Sequence, residues 1–219
     1  MRPSLTRRTA PGTGQPVRFV ETMAGTVAPI GTWTPPPGWD AGRDGEDEAA
    51  AESAVAAAAA GARAGPAAAR EPLVLAGLQV AVGVCPGPDD GLPGRLIGGE
   101  VDHFGRRWRV SGGSFTALAA TPDGGRRLRY RLDAVAGGQR IEVLGVKTVP
   151  GGLIRLWRQT TTLAVLVVHP DEHPPTAWAG TLRLTPGEFA RQLTTMRGRP
   201  GAVAAFGLRF VRRLPLRAR

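Results

Sequence analysis

From Leu73 to Thr185 the chain alternates apolar and polar residues with a period of two, and clusters of Gly, Pro and Asp break the pattern at short intervals. This texture favours strands. Neighbouring side chains of a strand point to opposite faces, whereas a helix repeats every ~3.6 residues. The breaks PGPDDGLPG, HFGRR, TPDGG, AGGQ, VPGG and HPDEHPP all carry turn chemistry. With an alternating segment near the N-terminus they delimit eight strands, at 16–28, 73–84, 95–103, 106–119, 126–135, 139–149, 153–169 and 176–185. Turns this short make consecutive strands antiparallel neighbours. Eight meandering strands either split into a sandwich or close into a barrel. Closure removes exposed edges, so the expectation is a mainly β, antiparallel, closed or nearly closed β-barrel.

The flanks read differently. Residues 1–15 lack apolar patterning and are expected to be a disordered tail. Residues 29–72 combine proline clusters, an acidic run and an alanine tract, which is the composition of a disordered insertion, with Glu46 to Ala60 its one helical stretch. Thr185-Pro186-Gly187-Glu188 is a capping box, opening a helix in which Phe189, Leu193 and Met196 share a face. A second helix is expected over Ala202–Arg213, with Val203, Phe206 and Phe210 on one side. The chain therefore reads as one domain, 16–213, with helices at 186–213 and a basic tail at 214–219.

Net charge is +10, and 27 of the 28 basic residues are arginine. Seven of those arginines and no acid lie between Arg197 and Arg219. Arg209, Arg212 and Arg213, set among Phe206, Phe210 and Val211, are candidate contacts to an anionic membrane surface. The basic segments lack spaced aromatics for base stacking, so nucleic acid is not an expected partner. The N-terminus carries no apolar signal core and no apolar run reaches ~18 residues, which points to a cytoplasmic protein, at most membrane-peripheral.

Alternation assigns inward faces. Strand one puts Val17, Phe19, Glu21, Met23, Gly25 and Val27 together, and Glu21 is the only charge among them. Strand five turns Leu128, Tyr130, Leu132 and Ala134 inward, and Arg127, Arg129, Arg131 and Asp133 to water. Strand six places Lys147, the sole lysine, on the face of Ile141 and Val143. Strand seven points Trp157, Gln159 and Thr161 inward, and strand eight points Trp178 inward. A carboxylate and an ammonium facing a core are each costly unless paired. Glu21, Met23, Tyr130, Lys147, Trp157, Gln159, Thr161 and Trp178 are therefore the candidate ligand-binding residues. Two readings stay open: a polar site in an apolar pocket, or a structural ion pair.

Other chemistries find less footing. No G-x-G-x-x-G or Walker loop follows a strand, and no G-x-S-x-G elbow occurs, so no cofactor is expected. Cys85 is the only cysteine. His103, His169 and His173 would have to converge to hold a metal; solvated turn histidines are the expectation, and no metal.

Five segments, in order, resemble an accessory β domain associated with bacterial GMC-type, cholesterol-oxidase-like oxidoreductases. They are VRFVETMAGTV, LIGGEVDHFGRRWRVSGGSFTAL, LRYRLDAVAGGQRIEVLGVKTV, LIRLWRQTTTL and AGTLRLTPGEFARQLTTMR. The resemblance implies a lipid- or sterol-linked setting, with any flavin held by a neighbouring domain. By motif it marks Glu21, Lys147, Trp157, Thr160, Thr161 and Thr162, and Gln159 stands where that domain usually has Asp. The expected function is a non-catalytic module that binds an apolar metabolite, a steroid or acyl chain, or supports a partner GMC-type oxidoreductase. The alternatives are a small barrel enzyme with Glu21 and Lys147 as acid/base or Schiff-base groups, and a peripheral membrane or interaction protein acting through its C-terminus.

Overall fold

A computed structural model describes residues 16–33, 46–83, 85, 91–121, 125–149 and 161–213. Eight strands, β1 (Val17–Thr32), β2 (Glu71–Val82), β3 (Leu92–His103), β4 (Arg106–Ala120), β5 (Arg126–Ala136), β6 (Gln139–Val149), β7 (Thr162–His169) and β8 (Thr176–Arg183), run in sequence order around a closed barrel. Every pairing is antiparallel. β1 seals the ring against β8, from Ala24 opposite Arg183 to Thr32 opposite Thr176. The expected meander and its closure are both observed. The seventh strand is seen from Thr162, and its expected beginning at 153–160 lies outside the described residues. The tails at 1–15 and 214–219 lie outside them too.

Strands twist of themselves, and glycine bulges add the sharper bends that curl this sheet. In β2 the buried positions shift from Leu73 and Leu75 to Leu78, Val80 and Val82. The shift falls at Gly77, whose φ of +58° is costly for a side chain. Its amide donates to the Thr22 hydroxyl of β1 at 3.0 Å, which pins the bulge. β3 changes parity across Gly98–Gly99, from Leu96 to Val101 and His103. These kinks let all eight strands turn apolar side chains into one interior, including Phe19, Met23, Leu75, Leu96, Trp108, Phe115, Leu132, Ile141, Leu163 and Leu182. An eight-stranded barrel is about wide enough for such side chains to fill.

The insertion is where the structure corrects the sequence reading. β1 continues to Thr32 and β2 starts at Glu71, so less chain intervenes than expected. The helical stretch expected from Glu46 to Ala60 is observed, as a 19-residue helix, α1 (Glu46–Ala64). It lies against the outer face of β6, β7, β8 and β1. Alanine is the best helix former, and it lets a helix approach a sheet closely. Val55, Ala59 and Ala62 of α1 are buried, and Val55 and Ala62 pack with Ala28, Leu144, Val146, Leu166, Val168, Ala177 and Ala179 in a second apolar cluster outside the barrel. β6 and β7 are thus covered on both faces, which accounts for the unbroken apolar run Leu163–Val168. Arg127 and Arg129 point out of the barrel as expected, but not into water: both pair with the buried carboxylate of Glu52 on α1.

Two further helices, α2 (Pro186–Thr195) and α3 (Pro200–Arg213), close one end. The capping box forms, with the Thr185 hydroxyl accepting from the Glu188 amide at 3.2 Å. Phe189 and Met196 pack on the barrel core, and Phe206 of α3 is buried with its ring 6.4 Å from Phe19. Leu193 does not dock as expected: it stays 49% exposed. It sits toward the edge of the docked stripe, and half-buried Gln192 lies beside it instead.

Candidate functional site

Two polar clusters occupy the barrel, one toward each end. The first joins Glu21 of β1 to Tyr130 of β5 and Lys147 of β6. Around the ring β1 is far from β5 and β6, so these side chains meet across the lumen, not along a shared ladder. The Tyr130 hydroxyl donates to Glu21 Oε2 at 2.9 Å, and Lys147 Nζ stands 3.8 Å from Glu21 Oε1. The Lys147 and Glu21 side chains are only 3% and 2% exposed. Burial lowers the Lys147 pKa, and the Glu21 charge partly opposes this. Burial, then Glu21, pushes the Tyr130 phenol well above its ordinary value, so it stays protonated and donates. Phe115 contacts the Tyr130 ring edge-on at 4.8 Å and stands 6.3 Å from Phe19, giving the cluster an aromatic wall.

Of the other candidates, Met23 is buried on the same strand face. Thr161 is buried at this end of the barrel, its carbonyl accepting from the Leu184 amide at 2.8 Å. Trp157 and Gln159, with Thr160, lie outside the described residues. Trp178 does point inward but belongs elsewhere. It stands opposite Pro29, at the far end of β1 from Glu21, because β8 runs antiparallel to β1.

Trp178 joins the second cluster, which the sequence reading missed. The ends of β3 and β7 and the starts of β4 and β8 bring together His103, Phe104, Trp108, His169 and Trp178. His169 is 4.7 Å from Trp178 and 5.6 Å from both His103 and Trp108, centroid to centroid. Phe104 meets Trp178 edge-on at 5.0 Å, and the Arg106 guanidinium lies 4.6 Å from the Trp108 ring centre. His103 is 1% exposed, so it is not the solvated turn histidine that was expected. Neither of its nitrogens makes a well-formed hydrogen bond, although the Pro72 carbonyl draws weakly toward the charged form. Burial, seconded by His169, lowers its pKa to about 4. His169 is lowered too, chiefly by burial, although Glu172 sits 3.5 Å away. Among the described residues no three His, Cys, Asp or Glu side chains converge as metal ligands would. The missed signal was parity: His103 shares the face of Val101, and Trp108 that of Val110.

The C-terminal arginines divide. Arg209, a candidate contact to an anionic surface, is half-buried on α3 with one guanidinium nitrogen enclosed. The side chains of Arg212 and Arg213 lie outside the described residues, and among the described residues no helix is long and apolar enough to cross a membrane. No family model, curated protein or solved structure matches the chain.

Proposed function

We propose that the protein is a non-catalytic β-barrel module that supports a partner protein through its outer surface. The observation that carries this reading is the enclosure of Glu21, Lys147 and Tyr130. The carboxylate is satisfied by the ammonium and the phenol, and the surrounding lumen is packed with side chains from all eight strands. A group that must meet substrate is usually found in a cleft. Here acid–base or Schiff-base chemistry at Lys147 would require the barrel to open. The quoted motifs make a GMC-type oxidoreductase of lipid or sterol metabolism the first partner to try. Co-expression with such an enzyme from the same genome, followed by gel filtration and flavin turnover with and without the barrel, tests it. A stable complex or altered turnover supports the reading; no complex and unchanged turnover count against it.

One observation favours a second reading, an apolar guest such as a steroid or acyl chain. Phe206 is the one buried side chain that α2 and α3 contribute among the described residues, and it sits at the barrel mouth against Phe19. A guest would take its place. Thermal shift with sterols and fatty acids, on wild type and Phe206→Ala, decides: no stabilisation of either protein removes the guest.

A further inference from the structure

A groove of about 290 Å³ opens between the C-terminal part of α1 and the outer face of β1 and β8. Its walls carry Arg63 from α1, Arg70 from the turn after it, and Arg183 from β8. Its floor is built mainly of glycine and alanine, with Thr26 and Thr181 as its polar groups. Thr26 and Thr181 are cross-strand partners, and Arg183 stands opposite Ala24 two positions along, on the same face. No acidic side chain lines the groove among the described residues.

Several outward arginines of this barrel meet carboxylates: Arg127 and Arg129 share Glu52, and Arg107 faces Glu100 and Asp102. Arg70 has a local role. Its Nη2 donates to the carbonyls of Arg63 at 2.8 Å and Gly65 at 3.4 Å, which satisfies the end of α1 and offsets its negative dipole. That leaves Arg63 and Arg183 facing one space, both exposed, beside two threonines. Guanidinium forks with neighbouring hydroxyls are the donor set that matches phosphate oxygens.

We propose that this groove binds a phosphate group, carried by a small phosphomonoester. Its volume exceeds that of inorganic phosphate and approaches the lower end of small-molecule pockets. The glycine and alanine floor leaves room for the ester's organic part. The bound anion bridges α1 to β8, so occupancy also holds the helix to the barrel at the end opposite the Glu52 anchor.

The test is calorimetric titration of the full chain at constant ionic strength with inorganic phosphate, phenyl phosphate, and phosphatidylcholine vesicles with and without phosphatidic acid. Amide exchange of α1 is followed in parallel. The variants are Arg183→Gln, Arg63→Gln/Arg183→Gln, and the control Arg107→Gln. The expected result is saturable binding of phenyl phosphate, tighter than inorganic phosphate, with slower α1 exchange. Arg183→Gln weakens it about ten-fold, the loss of one charge-assisted contact, and Arg107→Gln leaves it unchanged. Equal affinity for both soluble probes still supports the phosphate site but removes the ester, and binding only to phosphatidic acid vesicles assigns the headgroup of a lipid. No binding of any probe, or binding weakened equally by Arg107→Gln, overturns the proposal.

Discussion

Acid should weaken this fold chiefly through His103, and the size of the effect can be worked from its surroundings. His103 lies among Phe104, His169 and Trp178 with no well-formed hydrogen bond, and its pKa falls from 6.5 to about 4. In the unfolded chain it titrates near 6.5. Between the two values the unfolded state binds more protons, so stability is complete above 6.5, declines as pH falls toward 4, and changes no further below. At about 1.36 kcal/mol per pH unit, the gap is worth about 3 kcal/mol. His169, also lowered by burial, adds in the same direction. The assay is urea denaturation of wild type and His103→Leu at steps from about pH 7.5 to about pH 4. Leucine has no proton to bind, so the variant should lose the His103 part of the slope and gain on wild type as pH falls. Two stability curves that stay parallel across this range would refute the reasoning, because His103 would then be free to charge in the folded state.

Other outcomes follow from the same packing. Lys147→Met should cost about 3–5 kcal/mol by leaving Glu21 buried with only Tyr130 as partner. The double variant Glu21→Gln/Lys147→Met should recover most of that, measured by denaturant midpoints; a single-variant cost below about 1 kcal/mol would show that the pair is solvated. Glu52→Ala should lose about 2 kcal/mol and speed amide exchange in α1 more than in the strands, since the carboxylate that ties α1 to Arg127 and Arg129 is gone. Thr185→Ala should cost about 1 kcal/mol through the lost cap of α2, read from thermal unfolding, while Thr194→Ala, away from the cap, serves as control.

Strand number, order and most boundaries were legible because turn chemistry and the period of two are local properties. The capping box at Thr185 was legible for the same reason. Alternation also turned Glu21, Tyr130 and Lys147 inward correctly, and the cost of unpaired charge in a core made their pairing the natural outcome. Trp178 shows the limit of that logic. Its face was right and its neighbourhood was not, because parity tells a side chain which way to point but not how far along the barrel it sits. The helical stretch at Glu46 was legible but the docking of α1 was not, because an alanine-rich helix has little apolar period to display. Its burial depends on an apolar stripe that β6, β7, β8 and β1 form together. The run LAVLVV did carry a trace of it, since a strand covered on both faces loses its alternation.

By itself, then, the sequence determined an antiparallel meander with a charged pair turned inward, since hydrophobic period and turn residues act over a few positions. The tertiary structure decided the rest. Closing β1 on β8 set Glu21 across the lumen from Lys147, gathered His103, His169 and Trp178 at one end, and offered α1 its outer face. Each of these depends on distances between residues far apart in the chain, which only the curvature of the closed barrel establishes.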